Sequence, residues 1–363
     1  MSGTIEGNSS RSSGSIAAKG SGITTSSGDP TVSTNPSSLG TMFVNTTSGE
    51  TYVCSDITAG ANVWQNIGDG TGNIEPFMGN GSSYGYTHGG ASSDVIDRWP
   101  FASDSDASDV GNCTIAANPE GSGASSGTYG YVAGGGGPYS NRIEKVQQVA
   151  TADATDVGDL AVTAANKSGS MSPTYGYTAG GYPITNVIEK WPFASDTNSS
   201  DVGDLTIGRQ VMGGNTSSDY GYCHGGRGPG ATNHNVLERY SYSTDGNSVD
   251  VGDLTRLAWG GRGNVQSETY GWTMGGGSSH HSNVIDRYQF AASSNATDWG
   301  DLSASQGSGD GHSSQTNGYY TGGGINGSTV GSACEKWTLS SAGNSADVFD
   351  LSVNRKMVQG THV

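Results

Sequence analysis

Tyr175-Gly176-Tyr177-Thr178-Ala179-Gly180-Gly181, then Val187-Ile188-Glu189-Lys190-Trp191, then Asp201-Val202-Gly203-Asp204-Leu205, is the stretch that decides the fold, because the chain repeats it. Its Gly-aromatic pair recurs as Gly85-Tyr86, Gly130-Tyr131, Gly221-Tyr222, Gly271-Trp272 and Gly318-Tyr319, so six copies follow one another at 45 to 50 residues. Behind each aromatic stands a diglycine: Gly89-Gly90, Gly134-Gly135, Gly180-Gly181, Gly225-Gly226, Gly275-Gly276 and Gly322-Gly323. An acid–base doublet comes next, as Asp97-Arg98, Glu144-Lys145, Glu189-Lys190, Glu238-Arg239, Asp286-Arg287 and Glu335-Lys336. Six of only 16 Lys and Arg residues therefore share one repeat position. Each unit closes on an acidic turn, Asp156 to Leu160, Asp201 to Leu205, Asp250 to Leu254, Asp298 to Leu302 and Asp347 to Leu351, with the first copy departing as Asp109-Val110-Gly111-Asn112-Cys113.

Strand-length runs of β-branched and aromatic residues, cut by Gly, Asn and Asp turns at this period, predict one four-stranded sheet per unit. Helix-period apolar faces are absent. A sheet apolar on both sides cannot bury itself, so the copies are expected to pack face to face around an axis.

These residues resemble Kelch repeats, in which a hydrophobic strand ends in diglycine, a second strand carries a Val-Glu-x-aromatic signature and a third follows a turn. The resemblance spans residues 84 to 363 and departs where a tryptophan is usual in the last strand: Val202 or Val251 stands there in most copies and Trp299 in one. It implies an all-β fold, a six-bladed Kelch-like β-propeller over residues 77-363.

Adjacent strand residues point to opposite faces, so Glu189 and Lys190 face different neighbours. The acid of one blade is therefore expected to approach the base of the next, in a ring of inter-blade ion pairs. Ring closure is legible at the end of the chain, where Leu351-Ser352-Val353-Asn354-Arg355 resembles Leu205-Thr206-Ile207-Gly208-Arg209, the start of the fourth unit. The C-terminal residues should supply the missing first strand beside Tyr84 to Gly90.

Ahead of the repeats, residues 1-38 are Ser, Gly and Thr with almost no large apolar side chains, an extended arm that cannot build a core. Residues 39-76 alternate as strands through Met42-Phe43-Val44, Glu50-Thr51-Tyr52-Val53-Cys54 and Val63-Trp64-Gln65-Asn66-Ile67. A three-stranded meander of this size needs something to pack on. It resembles the small β modules near the attachment ends of tailed-phage fibres and other virion proteins, which implies an anchoring role for residues 1-76.

The 33 acids against 16 bases leave a formal charge of −17, which repels phosphate backbones and anionic lipid, so neither nucleic acid nor membrane is expected as a partner. Met1-Ser2-Gly3-Thr4-Ile5-Glu6 offers no basic n-region followed by an apolar run, so no Sec-type signal peptide is expected. Cys54, Cys113, Cys223 and Cys334 are scattered and predict reduced thiols.

Candidates for chemistry are few. Of His88, His224, His234, His280, His281, His312 and His362, only His88 and His224 share a repeat position, in units on opposite sides of a six-fold ring, too far apart for one metal. The Tyr, His and Cys set of a copper oxidase and the arginine cluster of a sialidase-like propeller cannot be assembled from these registers. The Asp104-Ser105-Asp106-Ala107-Ser108-Asp109 run and the Asp-x-Gly-Asp repeats could hold calcium but are expected to cap turns. His280-His281 and Arg227 fall in long inter-strand loops, where propellers place binding residues. No catalytic, cofactor-binding or metal residues are expected, and no enzyme. The expectation is a virion structural protein of a tailed phage, made in the host cytoplasm. Residues 1-76 would bind other virion proteins of capsid or tail, and the propeller would serve as a decoration or adhesion module for a host glycan or protein. A cellular Kelch-type interaction scaffold and a carbohydrate-binding or carbohydrate-active propeller are the alternatives.

Overall fold

The computed structural model describes residues 23–68, 70, 73–74, 76–115, 122–136, 139–277, 279, 281–325 and 329–363. The chain divides into two compact units, Met1–Phe77 and Met78–Val363, one residue beyond the boundary read from the sequence. It contains seven sheets, one in the first unit and six in the second, and among the described residues its one helix is the 3-10 turn Pro229–Ala231.

The first unit is a four-stranded sheet rather than a three-stranded meander. Ile23–Ser26, placed in the arm by its composition, pairs in parallel with Met42–Asn45, Ile23 opposite Met42 and Ser26 opposite Asn45. One Ile followed by two Thr and a Ser lacks the apolar alternation that marks a strand, and these residues are held by backbone pairing on an edge; three of the four are exposed. Residues 27–38 of the arm are tied to the same unit by Asn62, whose Nδ2 donates to the Val32 oxygen (2.8 Å) and to Asn35 Oδ1 (2.7 Å), and residues 1–22 lie outside the described residues. Alternation elsewhere puts Phe43, Tyr52, Cys54 and Trp64 on one face, a buried cluster completed by Ile74.

The second unit repeats a four-stranded antiparallel sheet six times, and the fifth copy is lengthened by a two-strand hairpin, Gly324–Ile325 and Thr329–Val330. The first strands are Ser122–Ser125, Ser168–Met171, Gly213–Thr216, Arg262–Gln266, Asp310–Ser313 and, for the first sheet, Gln359–His362 from the other end of the chain. Gln359–His362 pairs antiparallel with Tyr84–Gly90, Gln359 opposite His88 and His362 opposite Gly85. The C-terminal residues thus take the place that sequence similarity reserved for them.

The first strands are short and rich in Gly, Ser and Asn, yet all but one of their residues are buried, while the fourth strands, such as Thr155–Asp159, are largely exposed. Close approach of the first strands to one another explains it. A Cβ added to Gly123 would meet the Gly360 oxygen, and one on Gly169, Gly214, Gly263, Gly311 and Gly360 the oxygens of Gly123, Gly169, Gly214, Gly263 and Gly311, each at 2.5 Å or less. The six glycines form a closed series of neighbours in which the sixth reaches the first, and only Gly admits backbones this close.

Hydrophobic burial is concentrated between consecutive sheets. Tyr131 of the second sheet packs on Trp191 and Phe193 of the third, Tyr177 on Tyr240, Tyr222 on Tyr288 and Phe290, and Tyr319 of the sixth on Trp99 and Phe101 of the first. Each such aromatic contributes roughly 1.5–3 kcal/mol by burial. The Gly of the Gly-aromatic pair answers the same packing from within its own sheet: the third-strand ring, Trp99, Trp191, Tyr240, Tyr288 or Trp337, lies flat where a Cβ would be. In the second sheet Val146 takes that ring's place.

The doublet behaves differently from the expected ring of acid-to-base pairs. Each acid is buried and takes the end of the preceding sheet's acidic turn: Glu189 accepts from the Ala161 amide (2.6 Å), Glu238 from Thr206 (2.9 Å), Glu335 from Ser303 (2.7 Å) and Asp97 from Ser352 (2.9 Å). Its cation comes from the inter-sheet connection, with Lys167 on Glu189 (3.2 Å), Arg209 on Glu238 (2.5 Å), Arg256 on Asp286 (2.5 Å) and Arg355 on Asp97 (2.7 Å). Gln306 replaces it at Glu335. Burial pushes the Asp286 carboxyl up despite Arg256 beside it. The doublet base does reach the next sheet, but it meets a turn: Lys145 pairs with Asp196, Lys190 with Asp245 and Lys336 with Asp104, at 2.6, 2.6 and 2.7 Å. Its charged group lies over its own sheet's tyrosine, as Lys145 over Tyr129 and Arg239 over Tyr220. A doublet position alone cannot show that both partners come from loops.

An outer series of links lies in the residue three before each acidic turn. Asn198, Asn247, Asn295 and Asn344 accept from the amides of Asp159, Asp204, Asp253 and Asp301 of the preceding sheet, at 3.0 to 3.1 Å. Asp153 and Asp106 do the same for Asn112 and Asp350, the latter joining the sixth sheet to the first. Asn247→Ala removes one such acceptor at an exposed edge and should cost about 1 kcal/mol in urea unfolding. An unchanged midpoint would mean that water replaces the carboxamide without loss.

Candidate functional site

The first strands begin at one end of the axis and finish at the other, and the two ends differ. At the finishing end the chain crosses its own axis: the Gly79 oxygen accepts from Gln266 and from His362 Nε2 (2.8 Å for the latter), Ser313 Oγ donates to Asn80 Oδ1 (3.0 Å), and the Gly81 amide donates to the Ser313 oxygen (2.8 Å). The starting end carries the diglycines, since Ser168 pairs with Ala179 immediately before Gly180-Gly181. Diglycines there leave room for the neighbouring connection: Gly180 has a φ of +62°, and a Cβ on it would meet the Arg209 oxygen at 2.5 Å.

A small recess opens on that end, with Gly169, Gly214 and Gly263 in its lining and Lys167, Arg262, Asp310 and Gln359 as walls. Arg262, Asp310 and Gln359 are each 3% exposed. Asp310 accepts from the Gly360 and Gly311 amides (2.7 and 2.9 Å) and from Asn264 (3.1 Å), and burial still holds its pKa up at about 6. A second recess of ≈310 Å³ lies between the first two sheets, where Arg142 stands 4.0 Å from Glu144.

The loops behind the diglycines surround the axial recess. Tyr139 and Tyr182 are exposed there, edge to face at 5.5 Å, with Ile184 also exposed. Arg227, singled out in its loop, stacks over Trp259 at 4.3 Å from the ring centre. His280 lies outside the described residues; the His281 ring stays partly exposed. His88 and His224 do not come together: His88 Nε2 hydrogen-bonds Thr361 (2.8 Å) and His224 Nε2 hydrogen-bonds Asn215 Oδ1 (2.8 Å). Burial holds the pKa of both down at about 3. His312 and His362, which share no second-strand register with them, are equally buried, and His312 donates from Nδ1 to the Thr361 oxygen at 3.2 Å.

The Asp run is engaged locally. Asp104 pairs with Lys336, Asp106 accepts from Asp350, and Asp109 accepts from the Gly111 amide at 3.1 Å. The same turn cap recurs at Asp201 and Asp250. Among the described residues no group of three or more His, Cys, Asp and Glu side chains is placed to hold a metal ion. All four cysteines are free and buried, and burial pushes the Cys113 and Cys223 thiols well above their ordinary range.

No family model matches the chain, and no curated protein matches it. Among solved structures it is similar to that of YjhT, with a TM-score of 0.55 at 12% identity, over 66% of this chain and 86% of that one. That likeness shows the fold: an all-β arrangement of the β-propeller type.

Proposed function

We propose that the chain is a non-enzymatic virion structural protein of a tailed phage, anchored through its N-terminal unit and displaying a closed six-bladed Kelch-like propeller that binds a host glycan or protein. The six inter-sheet clusters, the closed series of axial glycines and the C-terminal strand support the six-bladed count, the seventh sheet being the N-terminal module. The observation that carries the display reading is the inequality of the two axial ends. Met78–Gly81 crosses one, and the other keeps an open recess ringed by loops with the exposed Tyr139 and Tyr182. Exposed aromatic rings on loops suit the apolar faces of sugars and the rims of protein interfaces. Separate compactness of the first unit supports an anchor.

The test compares the whole chain with residues 78–363 for binding to purified particles and to host cells. Particle binding by the whole chain alone is the expected result, with cell binding retained by the shorter form and reduced about tenfold by Tyr139→Ala with Tyr182→Ala. If neither form binds particles, the virion reading falls and a soluble partner of a Kelch-type scaffold becomes the object of search.

A further inference from the structure

The residues immediately before the six axial glycines form one layer, Ser122, Ser168, Gly213, Arg262, Asp310 and Gln359, of which all but Ser122 line the recess. Repeat symmetry would make this layer uniform, as it makes the glycines beneath it. Instead three positions are Ser or Gly and three, adjacent around the axis, are long or charged. Every one of the six is buried.

Three of the six carry a buried polar atom without a partner among the described residues: Ser122 Oγ, Arg262 Nε and Gln359 Nε2. Arg262 is the exceptional one. The other buried arginines, Arg209 and Arg355, each hold a carboxylate of their own third strand. Arg262 has no ion pair within 4 Å among the described residues; its charge is felt by the Asp310 carboxylate, whose oxygens are taken by two backbone amides and Asn264. Lys167, at the same mouth, is engaged by Glu189. A residue 3% exposed whose guanidinium has an Nε without a partner and no direct ion pair is costly to fold around, and the cost falls when a planar anion meets its fork.

We propose that the axial mouth is a binding site for a small carboxylate, held by the Arg262 guanidinium with the Gln359 amide as a further donor. The enclosed part of the recess, ≈10 Å³, has room for little more than one water-sized group, which limits the ligand to a carboxyl group, free or at the end of a larger molecule. Arg262 Nε and Gln359 Nε2 both donate, so a neutral alcohol satisfies them less well than an oxyanion. In a chain of charge −17 the preference is local, made by one cation at the axis rather than by the surface field.

The test uses the full-length protein in chloride-balanced buffer, titrated calorimetrically with acetate, inorganic phosphate and, as a neutral control, glucose. Saturable acetate binding with a roughly millimolar constant is expected, with phosphate weaker and glucose silent. Arg262→Met should weaken acetate binding at least about tenfold and Gln359→Leu a few-fold, whereas Arg98→Met, a base of the outer face, should leave it unchanged. Near-UV circular dichroism checks that each variant is folded; if Arg262→Met is not, Gln359→Leu decides. Tighter phosphate than acetate would replace the carboxylate by a tetrahedral anion and overturn the proposal. So would the absence of saturable heat up to about 50 mM acetate, or binding indifferent to whichever folded variant is tested.

Discussion

Gly263→Ala should cost the second unit about 4 kcal/mol, more than removal of most buried methyl groups, although it adds only one carbon. The added Cβ would fall on the backbone of Gly214, with the carbonyl carbon and the amide nitrogen each 2.7 Å away and the oxygen nearer still. Backbone atoms cannot rotate aside as a side chain does. Relief would require the first strand Arg262–Gln266 to withdraw from Gly213–Thr216. Each first strand is also in contact with the one after it, through Asp310–Ser313 and Gln359–His362 back to Ser122–Ser125, so displacement of one is resisted by the rest. The comparison is Gly343→Ala, in a turn where nothing lies within 4 Å and the φ is ordinary, which should be neutral or slightly stabilising through the unfolded chain. Equal urea midpoints for the two variants would show that the axis is loosely packed, and the account of why the most polar strands are the most buried would fail with it.

The axial glycines also mark where sequence reading stopped. The repeat was legible through Gly176-Tyr177 and Glu189-Lys190 because these positions carry chemistry that composition does not explain, and their period fixed the number and order of sheets. Gly169, Gly214 and Gly263 stand among so many other glycines that no local signal separates them, and their role exists only when six copies meet. The outer links were more accessible. Asn198, Asn247, Asn295 and Asn344 stand three residues before the acidic turn in four copies, with Asp in the other two, a regularity overlooked because Asn in a turn explains itself. The doublet shows the opposite limit. Its conspicuous opposite charges suggested a ring of pairs, whereas the acid is used to hold the incoming connection and the base to reach a turn. Register says which face a residue takes and nothing about which loop will fold over it. At the candidate site the limit is sharper still, since Arg262 and Gln359 gain meaning only from converging on one axis, nearly a hundred residues apart. In the N-terminal unit, Phe43, Tyr52 and Trp64 announced their sheet by alternation, and Ile23–Ser26 could not, because an edge strand of Thr and Ser is specified by its neighbour's backbone.

Acid should unfold the second unit with a midpoint near about pH 4.5, through its histidines before its carboxylates. His88, His224, His312 and His362 are all fully enclosed, and burial depresses every one: the pKa is about 3 for His88 and His224 and about 4 for His362, with His312 held well below its ordinary value. Arg355 beside His88, and Arg209 and Arg256 near His224, press in the same direction. An imidazole whose folded pKa lies below its unfolded value binds its proton only in the unfolded chain, so the stability it contributes is full above about pH 6.5 and is lost as pH falls toward the folded value. Each such group removes about 1.4 kcal/mol per pH unit in that window, and four together about 5 kcal/mol. Asp310 opposes them: its folded pKa of about 6 lies above the unfolded one, so it regains about 1.4 kcal/mol per unit as pH falls from 6 toward 4. The net loss, about 4 kcal/mol per unit, removes about 8 kcal/mol over the two units below pH 6.5, a stability in the middle of the ordinary range of about 5–15 kcal/mol. His88→Gln can keep a hydrogen bond to Thr361 without a proton to take up, so its midpoint should move about one pH unit to the acid side. A pH titration of the tryptophan fluorescence reads this directly, the buried Trp99, Trp191 and Trp272 reporting on three separate inter-sheet clusters. A transition spread over more than two pH units, or an unmoved midpoint in the variant, would mean that the imidazoles are protonated in the folded protein.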